Sequence, residues 1–191
     1  TILPTVYSSL LNINPVWMFK ILFPLTFALV PLGLYQIWQT HFGSKGAFIS
    51  AFFFMSFGTF YTEMLGLNRQ MIGELFFVLL LLTVANKRMS RVSKMICFAL
   101  FSFALVTSHY ALAAIFLFLI SLAFLILLVL KRPSRNITAG MVIFFFVIMF
   151  LWYIYTSQSY TFNALVEMGE NIRQQLNDFF NPKSRGEMVL R

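Results

Sequence analysis

The sequence predicts an all-α fold, a polytopic transmembrane helical bundle of about six spans with an amphipathic helix at its C-terminal end, and three observations predict it. Of 191 residues, 60% are hydrophobic and only 10% are charged, where soluble domains carry roughly 25% charged residues. The 25 Phe and 10 Met are spread along the whole length, so one water-excluded core under a polar shell cannot hold them and lipid must cover much of the surface. The net charge of +8 comes from short basic clusters between apolar runs. Membrane topology produces that pattern; a nucleic-acid-binding face would gather its cations along one helix, so nucleic acid is excluded as a partner. The lone Cys97 lies in an apolar run without Cys or His at ligand spacing, which leaves neither a disulfide framework nor a zinc site and makes the thiol a packing residue.

The elements follow in chain order. Residues 1–13 mix Pro4, Thr5, Ser8 and Ser9 with Leu and Ile, too short and too polar to cross hydrocarbon, and read as an interfacial segment. Asn14 before Pro15 is an N-cap followed by proline at the first helical position, opening a first span over 15–38. Pro24 and Pro31 each remove a helical hydrogen bond from it, which predicts a bend. Trp17, Tyr35 and Trp38 suit interfacial belts at its ends. A loop over 39–46 with His41 and Lys45 leads to a second span over 47–61. A turn containing Glu63 and Arg69 precedes a third span over 71–85, with Glu74 about one turn inside it.

Lys87, Arg88, Arg91 and Lys94 make 86–94 the densest basic loop of the chain, which assigns it to the cytoplasm. The nearly uncharged run over 95–130 would reach about 54 Å as one helix and overshoot a bilayer. Its one polar cluster, Thr107, Ser108, His109 and Tyr110, divides it into spans over 92–107 and 110–130. That division returns the basic residues of 131–136 to the side of Lys87. A sixth span over 137–155 ends in Trp152, Tyr153 and Tyr155, an aromatic collar at the outer face. In the extracytoplasmic tail, 157–191, Leu165, Met168, Ile172, Leu176 and Phe179 recur at three- and four-residue steps and predict an amphipathic helix over 162–180. The sequon Asn136–Ile137–Thr138 falls on the cytoplasmic side and is read as unused. The chain opens on Thr1 without a charged leader, so it is expected to continue upstream. Its partners are then the plasma-membrane bilayer and the remainder of its own polypeptide.

Ionisable groups in hydrocarbon are expensive and usually pair or face a polar cavity. Lys20, Glu63, Arg69, Glu74 and His109 all fall in the outer half of this topology. Lys20, Arg69, His109 and Tyr110 are therefore candidate ligands of a lipid phosphate, and Glu63 with Glu74 candidate ligands of Mg²⁺ or Mn²⁺. The structural alternative has Glu63 and Arg69 as a solvated loop pair, Glu74 holding the turn against Arg69, and Lys20 snorkelling to the interface.

Three stretches carry a family resemblance: LPT at Leu3–Pro4–Thr5 before a kinked span, TEMLGLNRQMIGE from Thr62 to Glu74, and SHY at Ser108–His109–Tyr110 before a long apolar run. In this order, over 1–130, the chain resembles the membrane module of the GT-C superfamily, and in particular its archaeal multi-pass members of unassigned activity. The resemblance implies a glycosyltransferase that takes sugar from a polyprenyl-phosphate donor at the outer face, with its main catalytic acid upstream of Thr1. It places Glu63 and Glu74 at a second acidic position, Arg69 at a neighbouring basic one and His109 at a phosphate-facing one, using Glu and His where the superfamily more often has Asp and Lys. A transporter or a non-catalytic membrane scaffold is the alternative. A transporter, however, needs ionisable groups near the midplane and paired broken helices.

Overall fold

A computed structural model of the chain describes residues 6, 8–10, 12, 14–66, 68–132, 134, 136–157, 163 and 166–173. Among these every regular element is a helix, so the fold is all-α. The interfacial segment expected over 1–13 and the amphipathic helix expected over 162–180 lie outside the described residues, apart from helical residues 6, 8–10, 163 and 166–173.

Asn14 caps the first turn of the long helical stretch that follows it. Its Oδ1 accepts the Val16 N–H at 3.0 Å and its carbonyl accepts the Trp17 N–H at 3.0 Å. A first turn, α1 (Pro15–Trp17), widens into a π-helical turn, Met18–Leu22, and continues as α2 (Phe23–Phe27) and α3 (Leu29–Ser56). The wide turn precedes Pro24 and the interruption at Ala28 precedes Pro31. Proline cannot donate to the preceding turn and its ring crowds that turn's carbonyl, so the helix opens just upstream.

The loop expected over 39–46 is helical in the structure, broken at one residue, Gly43, with φ 69° and ψ 176°. Polarity misled the expectation: Gln39, Thr40 and His41 are compatible with a helix, whereas a φ near +70° is one that glycine adopts freely and other residues do not. α3 is two helices joined at Gly43, and Gln39 Nε2 donates to Ser44 Oγ across the joint at 3.1 Å. It ends earlier than Tyr61, at Ser56. Phe57 is extended, with φ −68° and ψ 135°, and α4 (Gly58–Gly66) starts afresh.

α5 (Asn68–Ala85) leads into the basic loop, where Asn86 Oδ1 accepts the Arg88 N–H at 2.8 Å. Ser90 caps α6 (Arg91–Ser108) by accepting the Ser93 N–H at 3.1 Å. His109 is extended, with φ −151° and ψ 110°, and α7 (Tyr110–Val129) follows. The direction of α7 can be read from its contacts with α5. Phe76 meets Phe101, and Gly73 meets His109, so α5 and α6 are antiparallel. Gly73 also meets Leu112, and Phe77 meets Phe116, so α5 and α7 advance together. α6 and α7 are therefore two arms that fold back on each other at His109.

At the far end of α7 the Lys131 N–H donates to the Leu128 carbonyl and the Arg132 N–H to the Leu127 carbonyl, both at 3.0 Å. This is a Schellman ending, and it puts Lys131 in the left-handed region with φ 52°. α8 (Ala139–Ser157) starts after Thr138, whose carbonyl accepts the Met141 N–H at 3.0 Å.

Two compact units divide at Met149 and Phe150. In the first, Phe116 stands 4.9 Å from Phe145 and 6.3 Å from Phe98 by ring centroid, tying α6, α7 and α8 together. A second cluster joins Phe23, Phe27 and Val30 to Met71 and Val78. Aromatic pairs of this kind add about 0.5–1.5 kcal/mol to the area they bury. The outward faces stay apolar: Leu100, Phe103, Phe118, Leu125, Ile143 and Phe146 are all exposed. Lipid is the solvent that accepts such a surface. Three helical stretches among the described residues are long and apolar enough to span a membrane, Phe19–Ser56, Arg91–Ser108 and Tyr110–Val129, and Ala139–Tyr155 is a shorter apolar helix. In the second unit, within the stretch 166–173, Arg173 pairs with Glu170 on the exposed surface, a contact worth little in water.

Candidate functional site

Of the residues singled out from the sequence, Lys20, Arg69, Glu74, His109 and Tyr110 lie at the end of the first unit where α5 begins. Gly33 on α3 abuts Val78 and Leu82, while Phe23 and Phe27 pack in the cluster of Met71, so α2 and α3 advance in the same direction as α5. Lys20, exposed in the π-helical turn three residues before Phe23, therefore belongs to the end at which α5 starts. Arg69, in the first turn of α5, is exposed as well. Glu74 is half-buried and accepts a hydrogen bond from Gln70 Nε2 at 3.1 Å, one turn earlier on the same helix.

His109 reaches this end from the other side. A Cβ at Gly73 would lie 2.9 Å from the Cβ of His109 and 3.1 Å from Leu112 Cδ1. The missing side chain at Gly73 is thus what admits the α6–α7 turn against the first turns of α5. His109 Nδ1 accepts the Leu112 N–H at 3.3 Å, capping α7. Its ring lies parallel to that of Tyr110, with centroids 5.8 Å apart, and Tyr110 is exposed.

The opposite end is held by a cation. Lys94 is only 6% exposed, and its Nζ donates to the Asn86 carbonyl and to Asn136 Oδ1, the latter at 2.7 Å. The loop before α6 and the loop before α8 are thereby fastened together.

Residues 94–190 match the family described as "Predicted membrane protein (DUF2206)". The match covers just over half of the chain. The chain belongs to this family. No curated protein matches it, and no solved structure does. The DUF2206 segment begins at Lys94 and so contains the Lys94–Asn136 bond, the His109 turn, α7 and α8, whereas Lys20, Glu63, Arg69 and Glu74 precede it. The family description states a membrane protein and no activity, which agrees with the lipid-facing helices.

Of the residues predicted for the site, the structure brings Arg69, Glu74, His109 and Tyr110 to one end through Gly73, with Lys20 on the same side. Glu63 lies on α4, and its side chain is outside the described residues. Among the described residues no group of three or more His, Cys, Asp or Glu side chains is placed to hold a metal ion. The sequence reading passed over Gln70 as the partner of Glu74, Gly73 as the seat of the turn, and Asn136 as the partner of Lys94. The visible signals were an isolated glycine within a helical run, which usually marks a close approach, and an asparagine beside a basic loop.

Proposed function

We propose that the end of the bundle at which α5 begins receives the phosphate of a polyprenyl-linked sugar, and that this DUF2206 protein serves as a glycosyltransferase for that donor at the outer face of the plasma membrane. The observation that supports this reading is the seating of His109 on Gly73, with Arg69 and Glu74 in the adjacent turns of α5. Arg69 offers a planar, permanently charged fork to phosphate oxygens, and Lys20 a second cation. His109, seated at the same end beside the parallel Tyr110 ring, adds an imidazole that can carry positive charge toward a phosphate. Glu74, hydrogen-bonded by Gln70, adds a carboxylate to the same turns of α5. The exposed apolar faces of α6 and α7 match an isoprenoid chain. Mg²⁺ or Mn²⁺ forms part of the proposal only as an ion that Glu63 and Glu74 would share. Loops 86–94 and 131–136 are cytoplasmic in this reading, and 157–191 is extracytoplasmic, because lysine and arginine bias loops to the cytoplasm.

The test is sugar transfer from a polyprenyl-phosphate-linked donor by the full-length protein in membranes. Arg69→Gln and His109→Asn each lower the rate on the order of tenfold or more, while Asn at 109 keeps a side-chain cap and hence the fold. Undiminished transfer by both variants removes the assignment.

A further inference from the structure

The basic loops do more than face one compartment: Lys94 draws them into one surface. Its bond to Asn136 fastens the start of α6, which follows Lys87, Arg88 and Arg91, to the loop entering α8, which follows Lys131 and Arg132 at the end of α7. All five of these cations are exposed. No Asp or Glu occurs between Glu74 and Glu167, so the chain supplies no carboxylate from its own basic segments to offset them. Large apolar side chains border the cations directly. Val92, Met95 and Ile96 follow Arg91, and Leu128, Val129 and Leu130 precede Lys131, every one of them exposed. A free phosphate ion would leave that apolar rim unused, whereas an amphiphile with an anionic head and acyl chains matches both parts. The backbone adds a further sign. Lys131 takes the left-handed position, with φ 52°, that closes a Schellman ending and is usually given to glycine. A lysine in that position carries a conformational cost, and its ammonium group stands exposed at the helix end.

We propose that this end of the bundle is a binding surface for the anionic head groups of phospholipids in the adjoining leaflet. Arg88, Arg91, Lys131 and Arg132 are the contacting cations, and Lys94 is the positioning residue that keeps the two loops together. The surface is separate from the Arg69–His109 end, and the inference stands whether or not sugar transfer is found there.

Native mass spectrometry of the detergent-solubilised full-length protein tests it, with phosphatidylglycerol and phosphatidylcholine added in equal amounts and inorganic phosphate added separately. The expected result is retention of phosphatidylglycerol over phosphatidylcholine by roughly tenfold, weakening as salt is raised. The combined variant Arg88→Gln, Arg91→Gln, Lys131→Gln, Arg132→Gln loses that preference. A charge-matched variant of the C-terminal residues, Arg173→Gln, Lys183→Gln, Arg185→Gln, Arg191→Gln, keeps it. Lys94→Met weakens it without touching an exposed cation. Equal retention of the two lipids, equal loss in the two charge-matched variants, or inorganic phosphate abolishing lipid retention at matched ionic strength would each overturn the proposal.

Discussion

The ammonium of Lys94 donates to Oδ1 of Asn136 at 2.7 Å, joining positions 42 residues apart at one end of the bundle. The same Nζ also donates to the carbonyl of Asn86, just past the end of α5. One buried cation therefore connects the chain leaving α5, the first turn of α6 and the loop entering α8.

Removing the acceptor should show what this connection contributes. Asn136→Ala leaves a buried ammonium short of one partner and is expected to lower stability by about 1–2 kcal/mol. Lys94→Met removes the charge together with its need for partners, fills most of the volume, and is expected to be the milder change. Unfolding of the purified protein by sodium dodecyl sulfate titration measures both, and the order Asn136→Ala below Lys94→Met is the discriminating outcome.

At Gly73 the constraint is steric. An added methyl group meets the Cβ of His109 and the tip of Leu112, and the first of these moves only with the backbone. Gly73→Ala should destabilise by about 1–3 kcal/mol, and Gly73→Val by more, through forced separation of α5 from the α6–α7 turn. Thermal unfolding in detergent reads the graded effect; a wild-type melting curve for the valine variant would contradict the packing described.

Relief of backbone strain gives the opposite sign. Lys131→Gly removes the Cβ from a left-handed position, against which stands the extra freedom of glycine in the unfolded chain, and a net gain of about 0.5 kcal/mol is expected. Lys131→Val, β-branched at the same φ, should lose stability. If the two variants shift the unfolding midpoint in the same direction, strain at Lys131 is not the cause.

How much of this was legible beforehand depended on whether the deciding contact was local. The turn at His109 could be found because Ser108, His109 and Tyr110 are polar inside a long apolar run, and a helix end requires caps that such residues supply. The return of 131–136 to the end of 86–94 followed from that turn. The break in α3 is not legible from composition: Gln39, Thr40 and His41 are polar yet helical, and the backbone conformation at Gly43 decides where the helix breaks. The Lys94–Asn136 and Gly73–His109 contacts join residues far apart in sequence, where no periodicity operates, and both depend on packing. The candidate site was legible as a set of uncommon ionisable residues but not as geometry: Arg69 is evident from its charge, while the contribution of Gly73 is an absence of atoms.

The seating of the His109 turn also has a consequence for biogenesis. A ribosome delivers α5 before α6 and α7 exist, so the hollow at Gly73 precedes in synthesis the hairpin that packs into it. A side chain at position 73 would therefore burden the docking of a hairpin that has not yet been made when α5 is complete.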